Sequence, residues 1–527
     1  MNMISLCYFA VLMGLIFESF AVTTEADSFD LNLPPEHMIY YFSSHPDVAE
    51  ACRNSELCPY QNFLAEYKCW GYEKSCLPHQ RYSNPICNES SKGWTKSKDE
   101  QINSFFTQGD FGYIRERLDE ITPICVSKGK NESYLECAKY MRFCRGRNIM
   151  FDFKSLETIP EPMRYRDDVI KEGQVGGKCK LKQKLLKLQG EHKSPLQSWY
   201  AEFEHFVELP EIPASESTCD VIIKEPTFVM KLDATVNMYH HFCDFLNLYA
   251  SLHMNDTFST DINILIWDTL PYISTFAPMW KAFTHHPIMD LGSFKGKKVC
   301  LKDAVFPLLP RMIFGMYYNM PLVPGCKGSG LFRAFSEHVQ HRLKVKNNLN
   351  INSIRVTFIS RNTQYRRILN EDELIASLKP IPDLFVRKIN FNRQMAFTEQ
   401  LEISYNTDIL IGIHGAGLTH MLFMPIWGAV FEIFNCEDEG CYADLARLKG
   451  LKYLTWTKLD KLHPQDEGHH PTLGAHAKFT NYSFDTKEFL HIFKKALNHV
   501  KNHPAFKERI GSCDGLKCNK TVIHTEL

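Results

Sequence analysis

The chain has 527 residues, a formal net charge of −1 and an isoelectric point of about 7.1. So even a balance excludes binding to nucleic acid or to an anionic membrane by bulk charge. The length allows two or three domains with full hydrophobic cores, and 18 cysteines point to an oxidising compartment.

In chain order, residues 1–21 come first. An apolar run from Ile4 to Phe17, broken only by Ser5 and Gly14, leads to Ser19-Phe20-Ala21. That is the pattern of a secretory signal peptide. Residues 22–190 form a Cys-rich, loop-rich N-terminal extension that carries Cys52, Cys58, Cys69, Cys76, Cys87, Cys125, Cys137 and Cys144. Their spacings fit no zinc pattern, so disulfides are expected. Loss of Cys7 with the leader leaves 17 cysteines, an odd number, so at least one thiol is unpaired or bonded elsewhere. Sequons at Asn88, Asn131, Asn255, Asn481 and Asn519 are candidate N-glycosylation sites.

Residues 191–345 read as a first α/β lobe, with a strand at 262–267 and a helix at 330–343. The polar, Asn-rich stretch 346–352 reads as a linker. Residues 346–523 then alternate regularly. Strands are expected at 354–359, 384–389, 409–413, 429–434 and 451–455, with helices at 370–378, 394–404 and 444–449. Repeated βαβ units imply a parallel sheet covered by helices. Asn370, with Glu373 three residues on, has the spacing of a capping box. The tail, His524, Thr525, Glu526 and Leu527, resembles the four-residue address read by the retrieval receptor of the endoplasmic reticulum, with Thr525 where Asp is usual. After the leader, no run reaches the ~18 uninterrupted apolar residues of a membrane span.

Three stretches carry candidate chemistry. Ile411 to His420 reads as a buried strand, a glycine-rich turn and a helix, and ligands bind at the carboxyl ends of parallel strands. Gly415, Ala416 and Gly417 would bring the backbone close to a diphosphate, and His414 would donate to a phosphate or ribose oxygen. Equally, the glycines would serve only a tight βα turn. Arg361, in Ser360-Arg361-Asn362 after the strand at 354–359, suits a planar grip on phosphate, whereas Arg366 and Arg367 read as solvated. Glu432, inside an apolar strand, either meets a ligand hydroxyl or caps a helix.

The third stretch is Asn237 to Phe245. As a helix it buries Met238, Phe242, Phe245, Tyr249 and Leu252, and gathers Asn237, His240, Asp244 and Asn247 on another face. His240 and Asp244, four apart, would form either a general-base pair or a surface ion pair. His463, His469, His470 and His476 lack regular ligand spacing, and no metal site is read from the sequence.

The run HGAGLTH (His414–His420), the Ser-Arg motif ahead of YRRILNEDEL, NMYHHFCDF (Asn237–Phe245) and GHHPTLG (Gly468–Gly474) with KFTNY (Lys478–Tyr482) together resemble glycosyltransferase family sixty-one. The likeness is to its luminal members that glycosylate EGF-like repeats. It covers nearly the whole chain, both terminal signals included. It implies an α/β, GT-B-type fold of two Rossmann-like lobes and an inverting reaction with UDP-GlcNAc as donor. The acceptors implied are Ser or Thr of EGF-repeat proteins, such as Notch-like receptors and matrix proteins, in the lumen of the endoplasmic reticulum. On that reading Asp244, or His240 oriented by it, is the base, while Arg361, His414 and the turn amides hold the departing UDP and Glu432 a ribose hydroxyl. The stretch 290–296 keeps one acidic residue, Asp290, where relatives carry a motif resembling DxD, so a divalent metal role there is left open. Other readings are a transferase of the same scaffold with another acceptor, an O-mannosyl glycan or a polysaccharide, and a non-catalytic luminal chaperone or lectin.

Overall fold

Five parallel strands make up the second lobe, in the order Leu384–Ile389, Ile354–Ile359, Ile409–Gly412, Ala429–Glu432 and Lys452–Thr455. The three central strands are buried throughout, as a sheet covered on both faces requires. The computed structural model describes residues 31–511 except 89, 91–92, 159–166, 193, 313, 318–322 and 348–352. The signal peptide, the tail from His524 to Leu527 and the sequon at Asn519 lie outside the described residues.

Local chemistry shifts two helix starts in this lobe. Asn392 Oδ1 accepts the amides of Gln394 (2.8 Å) and Met395 (3.3 Å). That turn competes with a first helical turn, so the helix expected from 394 runs Phe397–Tyr405. Asn370 does stand before the helix Glu371–Leu378, but its side chain gives the helix no cap bond. Its Oδ1 instead accepts the amide of Phe484 at 3.1 Å and its Nδ2 donates to the Phe484 carbonyl at 2.9 Å. The helix is thereby tied to the C-terminal strand Tyr482–Phe484. A closing helix, Thr486–Asn502, is capped by Asp485, which accepts the amide of Glu488 at 2.8 Å.

The first lobe is an eleven-stranded sheet around Lys298–Phe306. On one side the strands Thr227–Met230, Asn263–Ile266 and Met289–Asp290 run parallel. On the other, Cys144–Asp152, Tyr134–Cys137, Thr122–Val126 and Lys180–Leu181 form antiparallel ladders. The Cys-rich segment thus shares backbone hydrogen bonds with the first lobe. Its buried Asp110 also reaches across, accepting the amides of Gly330 (2.9 Å) and Leu331 (3.0 Å) where the helix Gly330–Arg342 begins. A carboxylate there satisfies amides that have no partner within the helix.

All eight early cysteines are oxidised. Cys52–Cys58, Cys69–Cys76 and Cys137–Cys144 are local, whereas Cys125–Cys179 and Cys87–Cys326 reach further, the last across 239 residues. Cys219–Cys300 is a sixth bridge, and Cys243, Cys436 and Cys441 are thiols. Bridges of this number fit an oxidising compartment. Of the sequons, Asn88 and Asn131 are exposed and Asn255 is half-buried. Asn481 is 5% exposed, and its amide nitrogen donates to Gln465 Oε1 at 2.8 Å.

One hydrophobic core runs from Phe105 in the extension through Phe245 and Phe335 to Leu410 and Leu418 of the second lobe. The outer face of the second sheet has its own core, with Phe431, Phe489 and Phe493. No helix among the described residues is long and apolar enough to cross a membrane.

Candidate active site

The parallel register sets the second-lobe half of the site. Ile354–Ile359 and Ile409–Gly412 are neighbours, so the loops leaving them emerge together at the carboxyl edge. Arg361 lies two residues past the first strand and His414 two past the second. Arg361 Nη1 is 3.5 Å from the carbonyl of His414. Arg366, expected to be solvated, folds back through a φ of +59° and places its own Nη1 3.4 Å from the same carbonyl. Its Nε is buried without a hydrogen-bond partner among the described residues. Burial, and then the neighbouring Arg366 charge, push the Arg361 pKa down to about 10. Two guanidiniums on one carbonyl repel each other, and an anion between them would relieve that.

Gly415 is what lets Arg361 approach. Its φ is +156°, and a Cβ on it would lie 2.0 Å from Arg361 Nη1. Gly417 has no such demand; a Cβ there would make ordinary contact with Ile359. The turn continues into a 3-10 helix, Ala416–Phe423, whose first amides have no acceptor within the helix. His414 is itself held: its Nδ1 lies 2.9 Å from Glu432 Oε1, and the Tyr453 hydroxyl donates to Oε2 of the same carboxylate. Glu432 is fully buried. Both its oxygens accept hydrogen bonds, so it supports His414.

The first-lobe half comes from the helix Met238–Met254, capped by Asn237, which accepts the amide of Tyr239 at 3.0 Å. The expected apolar stripe is buried, and so is most of the opposite face, where Asn247 turns back to donate to the Cys243 carbonyl. Four-residue spacing suggests His240 and Asp244 as a pair, but each has a different partner. Asp244 is fully buried against His241 Nδ1 at 2.8 Å, and His241 Nε2 lies 2.7 Å from the Tyr272 hydroxyl. Burial pushes the His241 pKa down to about 3. His240, partly exposed, has Nδ1 3.1 Å from Asp233 Oδ2. Arg311 Nε donates to that same oxygen at 2.6 Å. Burial alone would raise the Asp233 pKa, but hydrogen bonds from His240 and Arg311 hold it at about 2.

The two halves meet through aromatic rings. Tyr442 packs against Tyr239 at 5.4 Å and against His414 at 5.1 Å, so the residue before His240 and His414 itself share one neighbour. Asp438 and Cys441 approach His414 closely enough for the three to hold a cation. Lys478 Nζ, however, is 2.7 Å from Asp438, and Arg361 and Arg366 stand nearby. That surplus of positive charge suits a phosphate better. Among the loop histidines, His470 Nδ1 accepts the amides of Thr472 and Leu473, and His476 Nδ1 that of Lys478, so both cap their own loop. Asp290 caps a short turn by accepting the amide of Ser293 at 3.1 Å.

A parallel α/β sheet with two guanidiniums and a glycine turn at its carboxyl edge fits a ligand that carries phosphate. The sequence profile of the Glycosyltransferase 61 family matches residues 238–431, a span that includes His240, Asp244, Arg361, Arg366 and His414. EGF domain-specific O-linked N-acetylglucosamine transferases from Mus musculus and Drosophila melanogaster are each 48% identical to the chain, the first over 91% of both chains and the second over 95% of this chain and 96% of its own. The Xenopus laevis protein of that name is 47% identical over 90% of this chain and 91% of its own. The chain belongs to glycosyltransferase family 61. Membership implies a nucleotide-sugar donor, which fits the paired guanidiniums.

Proposed function

We propose that the chain is an inverting transferase that moves N-acetylglucosamine from UDP-GlcNAc to Ser or Thr hydroxyls of folded EGF-like domains in the endoplasmic reticulum lumen. The observation that carries the donor half is the pair Arg361 and Arg366 on the His414 carbonyl, one of them with an unsatisfied buried N–H. A diphosphate neutralises both charges and accepts that hydrogen. The acceptor half rests on the names of the relatives, and the compartment on the leader, the six disulfides among the described residues and the tail.

The reaction is a single displacement. As the acceptor oxygen bonds to the anomeric carbon, the bond to the diphosphate breaks and its electron pair leaves with UDP. Arg361, Arg366, His414 and the amides of Gly415, Ala416 and Gly417 face that growing charge, and preorganised donors of this kind contribute several kcal/mol, roughly 3 for a single donor. Glu432 and Tyr453 keep the His414 ring in place. The acceptor proton goes to the start of the helix Met238–Met254, where His240 and Asp244 lie.

EGF modules are small and depend on disulfides for shape. Incubation with UDP-GlcNAc of one EGF domain, oxidised or reduced and alkylated, tests the proposal. The oxidised form should be modified far faster; equal rates, or transfer from another nucleotide sugar alone, would contradict it.

A further inference from the structure

Two His–Asp pairs stand at the start of the helix Met238–Met254, and their surroundings differ in a way that separates their roles. The inner pair, His241 and Asp244, has fully buried side chains. Asp244 also takes the backbone amide of Asp233 at 3.2 and 3.3 Å, one distance to each oxygen. No hydroxyl on a protein acceptor reaches a carboxylate so enclosed. The outer pair is different. The His240 side chain is 23% exposed, whereas Asp233 beside it is 2% exposed and gripped by Arg311. Arg311 Nη2 also lies 3.0 Å from His240 Nδ1, so imidazole, carboxylate and guanidinium close on one another.

We propose that His240 takes the acceptor proton and that Asp233, held by Arg311, is its positioning residue. The proposal rests on the transferase reading above. Nδ1 has two competing partners, the Asp233 carboxylate, to which it would donate, and Arg311 Nη2–H, from which it would accept; the step takes the tautomer in which Nδ1–H is donated to Asp233 and Nε2 carries the lone pair. In the step, the acceptor O–H breaks and its proton passes to Nε2. The freed oxygen pair bonds to the anomeric carbon, and UDP departs with the pair of the broken bond. The imidazolium that forms faces the Asp233 carboxylate, the partner that stabilises it. Half-buried Tyr272 and the buried His241 and Asp244 form a chain whose end, the amide of Asp233, fixes the backbone from which Asp233 reaches His240. Asp244 therefore acts through Asp233 and never meets the substrate.

The test uses full-length protein, UDP-GlcNAc and an oxidised EGF domain. His240→Gly should lose about 100- to 10,000-fold in kcat, the usual range for a general base, and keep its affinity for UDP. Added imidazole should restore part of that loss in His240→Gly and nothing in Arg361→Ala. Asp233→Asn should lower kcat by about 100-fold or more with the KM for UDP-GlcNAc unchanged, and Asp233→Glu should recover part. Near-normal turnover of His240→Gly would overturn the proposal, as would an Asp233→Asn loss that appears in donor KM and not in kcat. If the wild-type protein transfers nothing, the functional reading fails by itself. Nitrogen NMR of the His240 ring then tests the pair without turnover: an Nδ1–H tautomer, changed in Asp233→Asn, supports it, and an Nε2–H tautomer in the wild type overturns it.

Discussion

Replacing Gly415 by alanine perturbs the site through a single atom. The new Cβ would lie 2.0 Å from Arg361 Nη1 and 3.1 Å from Cζ. Ordinary contact needs about 3.5–4 Å, so the guanidinium must retreat by roughly 1.5–2 Å. The obstacle is the end of a flexible side chain, so the fold survives; the φ of +156° adds a strain of about 1–3 kcal/mol. A charged hydrogen bond to the diphosphate is worth about 1.5–3 kcal/mol, which predicts UDP binding weakened roughly 10- to 100-fold. Calorimetric titration of UDP into wild type, Gly415→Ala, Arg361→Ala and the double variant measures this. Because both changes remove the same contact, the double variant should bind little worse than Arg361→Ala. Wild-type affinity in Gly415→Ala, or losses that simply add, would refute the claim that this glycine exists to admit Arg361.

Three further outcomes follow from the packing. Glu432→Leu strands the His414 and Tyr453 hydrogen-bonding groups, each at about 1–3 kcal/mol, so both melting temperature and UDP affinity should fall, with Glu432→Gln keeping most of each. Replacing Cys87 and Cys326 together by serine opens a 239-residue loop and should cost about 2–5 kcal/mol in denaturant unfolding, with the parallel sheet otherwise intact. Asp233 is held at about 2, below its ordinary 3.8, by His240 and Arg311 against its burial. A depressed carboxylate stabilises the fold above its unfolded value. About 2 kcal/mol should therefore be lost as pH falls from about 4 to about 2, and Asp233→Asn should flatten that part of the melting curve against pH.

The second lobe was legible because its central strands are buried on both faces and read as unbroken apolar runs, Ile354–Ile359 and Ile409–Gly412 among them. Their parallel order also places Arg361 and His414 together at one edge. What the sequence hid was contact made by folding back. Arg366 sits in a polar stretch that looks solvated, and only its positive φ returns it to the His414 carbonyl. Asp233 precedes His240 by seven residues across the turn that starts the helix, a separation that helical spacing does not register. Four-residue spacing favoured His240 with Asp244, but the packing of Tyr272 draws His241 into that place. The antiparallel half of the first sheet was unreadable for another reason. Most of its strands are short, and pairing of Cys144–Asp152 with Lys298–Phe306 joins residues 146 to 162 apart in the chain.

The central claim is that this crevice transfers a sugar to a folded disulfide module. Intact-mass and peptide mass spectrometry of one oxidised EGF domain, incubated with UDP-GlcNAc and the wild-type or Arg361→Ala protein, tests it most directly. The account predicts a single N-acetylhexosamine on a Ser or Thr of the wild-type product and a strongly reduced yield with the variant. An unmodified domain, or equal modification by both proteins, would contradict it.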